Sequence, residues 1–141
     1  DVVLNADEVD VEKQVKALTD GGVTVAVDVT GVSAAVDSTA RLVFQKPWDP
    51  PFPEPSRVLL LGSYSEPVAF SYHPSLFANE PNIITSRDTT KVDMEEMMQL
   101  IADGTVDPSL LPATEYPVDA APQAYADLVE KKMMRVYFSW K

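Results

Sequence analysis

Apolar residues recur along this chain in two rhythms. The first is alternation. Valine occupies positions 23, 25, 27 and 29, with Thr24, Ala26 and Asp28 between them. In an extended chain such residues divide between two faces, so residues 23–30 are predicted to form a buried strand. Thr24 and Ala26 are small enough to let a helix pack closely on their side. Val58-Leu59-Leu60-Leu61 is apolar throughout, the pattern of a strand covered on both faces. Residues 2–4 and 82–85 are further short strands. Near the end, Met134, Val136, Phe138 and Trp140 share one face of a strand, and Arg135, Tyr137 and Ser139 the other. The second rhythm is helical. Val11, Val15 and Leu18 lie on one stripe, then Val36, Ala40 and Val43, then Met94, Met97, Met98 and Ile101, and lastly Ala121, Ala124, Tyr125 and Leu128. Methionines at that spacing are read as core filler.

Local signals mark the ends. Asp20-Gly21-Gly22 closes the first helix through a glycine cap. Ser33, the pair Asp93 and Glu96, and Asp119 are expected to cap the next three. Gly104 closes the methionine helix. Five prolines fall within positions 47–55, which forbids regular pairing there. That stretch is read as an ordered loop, its spacing being too irregular for a polyproline ligand. Residues 68–70 are expected to be extended, 76–80 to make a helical turn, and 110–117 to run extended as an edge or lid.

Strands and helices alternate in order. This predicts an α/β protein with a partial, doubly wound parallel sheet, followed by a C-terminal extended segment, helix and strand. Two strands end in small polar turns, at Thr30-Gly31 and Gly62-Ser63-Tyr64. Ligands of open α/β sheets bind beyond the carboxyl ends of strands, so these turns are the candidate binding edge. Asp28 is read as a buried carboxylate satisfied by hydrogen bonds. His73, the one histidine, has no orienting partner nearby in sequence. It is expected to shape a pocket rim rather than move protons.

Composition narrows the partners. Twenty-two acidic against eleven basic residues give a net charge of −11, which opposes nucleic acid and an anionic membrane surface. There is no cysteine, hence no disulfide and no thiolate-held metal. No apolar run is long enough to span a bilayer. The setting expected is cytoplasmic. A length of 141 residues suits one domain, yet the chain opens in strand-like sequence without methionine, as a start inside a larger fold would.

Segments 1–5, 23–31, 57–64, 83–87, 93–104, 114–128 and 135–140, in this order and spacing, resemble the C-terminal half of a medium-chain, zinc-type alcohol dehydrogenase. The similarity covers nearly the whole chain. Residues 61–67 are also similar to the branch that includes bacteriochlorophyllide dehydrogenases. The resemblance implies apparent strands three to six of a Rossmann-like sheet, with residues 1–109 as the latter part of the NAD(P)-binding domain. Residues 110–141 would return toward a catalytic domain. It implies that Val29, Thr30 and Gly31, the turn Leu61, Gly62, Ser63 and Tyr64, and the backbone at Thr85, Ser86 and Arg87 line NAD or NADP. Arg135 would reach the pyrophosphate, where a guanidinium fork suits phosphate oxygens. It further implies a homodimer through the Ile83-Ile84 edge. Zinc would be held only by a missing N-terminal part of the parent chain.

The phosphate-binding G-x-G-x-x-G turn is absent, and so is the ribose-selecting acid. No catalytic residue is visible. The expectation is the cofactor-binding portion of an alcohol/carbonyl oxidoreductase, inactive and weak in cofactor binding by itself. The alternative is an acidic, non-catalytic α/β interaction module. A methyltransferase is disfavoured because its glycine-rich first turn is missing too.

Overall fold

The computed structural model describes residues 1–140. Two compact units make up the chain, Asp1–Asp88 and Thr89–Lys141.

The first unit begins without the predicted strand. Residues 1–5 take no regular structure and Val3 is almost fully exposed. No neighbouring strand pairs with their amides, and unpaired backbone gains nothing by extending into a sheet position. Helix α1 (Val11–Leu18) follows, with the Asp10 carboxylate accepting from Lys13 N at 3.0 Å. The left-handed residue that closes it is Asp20 (φ 54°) rather than a glycine, and Gly21 N returns to Lys16 O at 2.8 Å.

Strand β1 (Val25–Asp28), helix α2 (Ser33–Ala40), β2 (Arg57–Leu60) and β3 (Asn82–Thr85) then build a three-stranded parallel sheet. Its order is β1-β2-β3, in register Val25↔Arg57↔Asn82 through Asp28↔Leu60↔Thr85. The reading of a partial parallel α/β sheet therefore holds for three strands, with β3 at the edge. The faces of β1 are the reverse of a buried valine strand. Ala26 and Asp28 are buried, whereas Val25 and Val27 are half exposed. The small residues let α2 approach, so Val36 and Ala40 pack with Ala26, Val43, Val58 and Leu60 as the core. The other sheet face carries Val25, Val27 and Ile84, each more than 40% exposed.

Ser33 opens α2 but does not cap it. Val32 holds the cap position, and the Ser33 hydroxyl donates to Glu66 O at 2.8 Å. The proline-rich stretch is irregular as expected, with a cis Pro50-Pro51 bond. Residues 68–70 form no strand, though Val68 and Phe70 pack on the core. A wide helical turn spans Tyr72–Phe77, earlier than its apolar residues suggested.

In the second unit, α3 (Lys91–Ala102) starts from a capping box between Thr90 and Asp93, not from Asp93 and Glu96. Its Met94, Met97 and Met98 are exposed, which corrects their reading as core filler. Strand β4 (Thr114–Pro117) pairs in parallel with β5 (Val136–Ser139). Between them lies α4 (Ala121–Val129), with Ala120 rather than Asp119 at the cap position and no side-chain cap bond, because a tight turn at Val118–Ala120 precedes it. Asp127 on α4 is buried and accepts from Tyr116 Oη, Gln123 Nε2 and Lys132 Nζ at 2.8–3.0 Å.

Candidate functional site

The carboxyl ends of β1 and β2 run side by side, with Leu61 N donating to Asp28 O at 2.9 Å. Beyond them the two turns press together. Gly31 takes a left-handed φ of +70°, and a Cβ there would lie 2.9 Å from Ser63 O. A Cβ on Gly62 would lie 2.5 Å from Gly31 N and 2.9 Å from Gly31 Cα. A side chain at either position would therefore force the two turns apart.

Asp28 locks this junction from below. It is 2% exposed. Its Oδ1 accepts from Thr30 N at 3.0 Å, Thr30 Oγ1 at 2.9 Å and Tyr64 Oη at 2.7 Å, and Thr39 Oγ1 lies 3.3 Å from Oδ2. Burial alone would push its carboxyl up. The bonds from Tyr64, Thr30 and Thr39 favour the ionised form more strongly and hold it below the ordinary carboxylate range. Burial, then the bond to Asp28 and its charge, raise the Tyr64 phenol. Asp28 is thus a satisfied structural carboxylate, as its place in the strand predicted.

A second carboxylate fixes the covering helix. Asp37 accepts from Ser71 N at 2.7 Å, Ser71 Oγ at 2.9 Å and Ser75 Oγ at 2.5 Å, and Arg41 Nη2 lies 3.5 Å away. Burial opposes its ionisation, and these partners outweigh burial, so its carboxyl also sits low. Sequence reading passed over both Thr39 and Asp37. The one available signal is that Asp37 and Thr39 are polar residues inside a short helix, where a polar group needs a reason.

The junction leaves Val29 and Leu61 exposed, with Thr30, Ser63, Thr85, Ser86 and Arg87 also exposed. Thr85 pairs with Leu60 across the sheet, so the ends of all three strands bring Val29, Thr30, Gly31, Leu61, Gly62, Ser63, Tyr64 and Thr85 to one edge. Arg135 belongs to the second unit. Its Nη2 donates to Leu111 O at 2.6 Å and Pro108 O at 3.3 Å. His73 packs its ring against Phe77, with centroids 5.2 Å apart.

Chemically, the edge offers the apolar side chains of Val29 and Leu61 and the hydroxyls of Thr30, Ser63 and Thr85. No group of three His, Cys, Asp or Glu side chains that could hold a metal exists among the described residues. With no thiol and a single histidine, the donor set does not fit zinc. No described helix is long and apolar enough to cross a membrane.

No family model and no curated protein matches the chain. Solved structures do. An alcohol dehydrogenase from Thermus sp. ATN1 aligns with a TM-score of 0.81 at 17% identity, over 99% of this chain and 38% of its own. An alcohol dehydrogenase zinc-binding domain protein from Burkholderia ambifaria gives 0.72 at 21%, over 92% and 34%. A short chain alcohol dehydrogenase from E. coli CFT073, in complex with NADH, gives 0.70 at 17%, over 92% and 35%. This chain spans 34–38% of the length of these structures. In fold, the chain is a partial Rossmann-like α/β unit, similar to about one third of the length of these solved dehydrogenase structures.

Proposed function

We propose that this chain supplies the nicotinamide-side wall of an NAD(P) site in an oxidoreductase that moves hydride between an alcohol and a carbonyl. One observation carries the reading. The Gly31–Gly62 contact, locked by Asp28 and Tyr64, holds two strand-end turns rigid and leaves Val29 and Leu61 facing outward. Preorganised turns at a sheet's carboxyl edge are where α/β folds bind ligands. The NADH held by one fold relative supports the same choice.

In this reading Val29 and Leu61 pack against the nicotinamide ring, and the turn amides and Thr85 orient its carboxamide. Ser86 and Arg87 extend the wall. The cofactor supplies the hydride chemistry; the residues named here bind and orient it. Pyrophosphate binding needs a glycine-rich turn that this sequence lacks, so the chain alone binds weakly and is inactive. Pairing of two copies through the Ile83-Ile84 edge belongs to the same proposal, since an open strand edge favours such pairing.

Titration of the labelled 141-residue chain with NADH, followed by amide NMR, tests it. The expected result is weak, millimolar-range shifts at Val29, Gly31, Leu61, Ser63 and Thr85. No shift at those amides overturns the site and favours the acidic interaction module. Micromolar affinity overturns the half-site reading.

A further inference from the structure

A second pocket lies among the segments that lead into the amino ends of β2 and β3, away from the strand ends just described. The proline-rich loop and the Tyr72–Phe77 turn border an open cleft of about 160 Å³, lined by Lys46, Trp48, Phe52, Phe77 and Glu80 among others.

Backbone bonds hold the Lys46 and Glu80 positions. Lys46 N donates to Ala78 O at 3.0 Å and Glu80 N to Leu76 O at 2.7 Å. Glu80 takes a left-handed φ of 41°, unusual for a residue other than glycine. The Trp48 and Phe77 rings stand 6.2 Å apart at 57°, forming a corner. A flat ring sandwiched between two others needs parallel walls about 7 Å apart, two contacts of about 3.5 Å each. A corner suits a rounded group instead.

The box already stabilises a cation. Lys46 Nζ pairs with the Glu80 carboxylate and sits 5.3 Å from the centroid of the Phe52 ring. Aromatic faces beside a carboxylate are the chemistry that holds organic ammonium groups. The Lys46 ammonium occupies that place only as a tethered, partly exposed side chain, and the net charge of −11 favours the approach of cations. We infer that the corner formed by Trp48, Phe52, Phe77 and Glu80 is a binding site for a small quaternary ammonium group, which displaces the Lys46 ammonium from Glu80.

Choline is the probe, with 3,3-dimethylbutan-1-ol as its uncharged isostere and sodium chloride to match ionic strength. In a Trp140→Phe background, Trp48 is the one tryptophan, and its emission reports the pocket. In the wild-type chain the Trp48 indole N–H resonance, assigned with Trp48→Phe, gives the same readout if the background variant folds poorly. Choline is expected to give a saturable change, with the isostere at least about tenfold weaker. Lys46→Ala removes the competing cation and is expected to tighten binding about threefold, the scale of one exposed cation–π contact. Glu80→Gln is expected to weaken it. Equal binding of the isostere overturns the inference, because the pocket then reads apolar shape alone. So does loss of binding in Lys46→Ala, which would mean that the lysine builds the pocket wall rather than competes for it. A choline titration without a saturable change reduces the box to a clamp for the proline-rich loop.

Discussion

Substituting Gly62 by alanine tests how tightly the two strand-end turns are joined. The new methyl would lie 2.5 Å from Gly31 N and 2.9 Å from Gly31 Cα, both backbone atoms that cannot rotate away. Contact at about 3.5 Å requires the turns to separate by about 1 Å. Overpacking of this kind costs about 1–3 kcal/mol. Restricting the unfolded chain returns about 0.5–1 kcal/mol, so a net loss of about 1–2 kcal/mol is expected. Gly31→Ala meets Ser63 O at 2.9 Å and also forces alanine to a φ of +70°, so its loss is larger, about 2–3 kcal/mol. The double variant decides the mechanism. Once either methyl has opened the gap, the other no longer needs to. The two losses should therefore fall short of additivity by about 1 kcal/mol. Urea unfolding followed through methyl resonances of Val36 and Val58, both fully buried in the first unit, measures each value, with an unchanged urea slope confirming that stability alone has moved. A Gly62→Ala variant as stable as wild type, or losses that add to within about 0.5 kcal/mol, would refute the turn-to-turn contact as the element that fixes this edge.

Tyr64→Phe removes the O–H donor to buried Asp28 and is expected to cost about 1.5–3 kcal/mol, the range for a hydrogen bond to a charged group, in the same urea assay. Asp28 and Asp37 both have carboxyls held below their ordinary value of 3.8. Their stabilisation is therefore fully present above the unfolded-state value and is lost as pH falls through the depressed folded-state values; acid titration of first-unit stability should lose much of that slope in the Asp28→Asn, Asp37→Asn double variant. Val43→Ala empties part of a fully buried position and should cost about 2 kcal/mol by denaturation. Thr90→Ala breaks the capping box of α3 and should cost about 1 kcal/mol of helix stability, visible as reduced helical circular dichroism.

Hydrophobic rhythm was enough to place most elements. Val11, Val15 and Leu18 marked α1, and the apolar runs marked β2 and β3. These signals are local, since a period of two or 3.6 reads directly from the chain. Caps were less legible. Ser33 and Asp119 have the right chemistry for caps, yet Ser33 is drawn to the Glu66 carbonyl and Asp119 falls inside a tight turn. A cap is decided by which backbone group is within reach, and that depends on neighbouring segments. The candidate edge was half legible. Thr30, Gly31 and Gly62 announce turns by residue type, but nothing in the sequence says that the two turns touch.

The sequence by itself determined the alternation of strands and helices from α1 onward, the parallel α/β class and the acidic charge, because these follow from residue type and period. Only the tertiary structure decided that Val25 and Val27 lie open while Ala26 and Asp28 are buried, for alternation defines two faces and not which one a helix covers. Only it brought Tyr64 to Asp28 across 36 residues, and Lys46 to Glu80 across 34. Such pairings arise when distant segments fold together in space, and no local pattern encodes them.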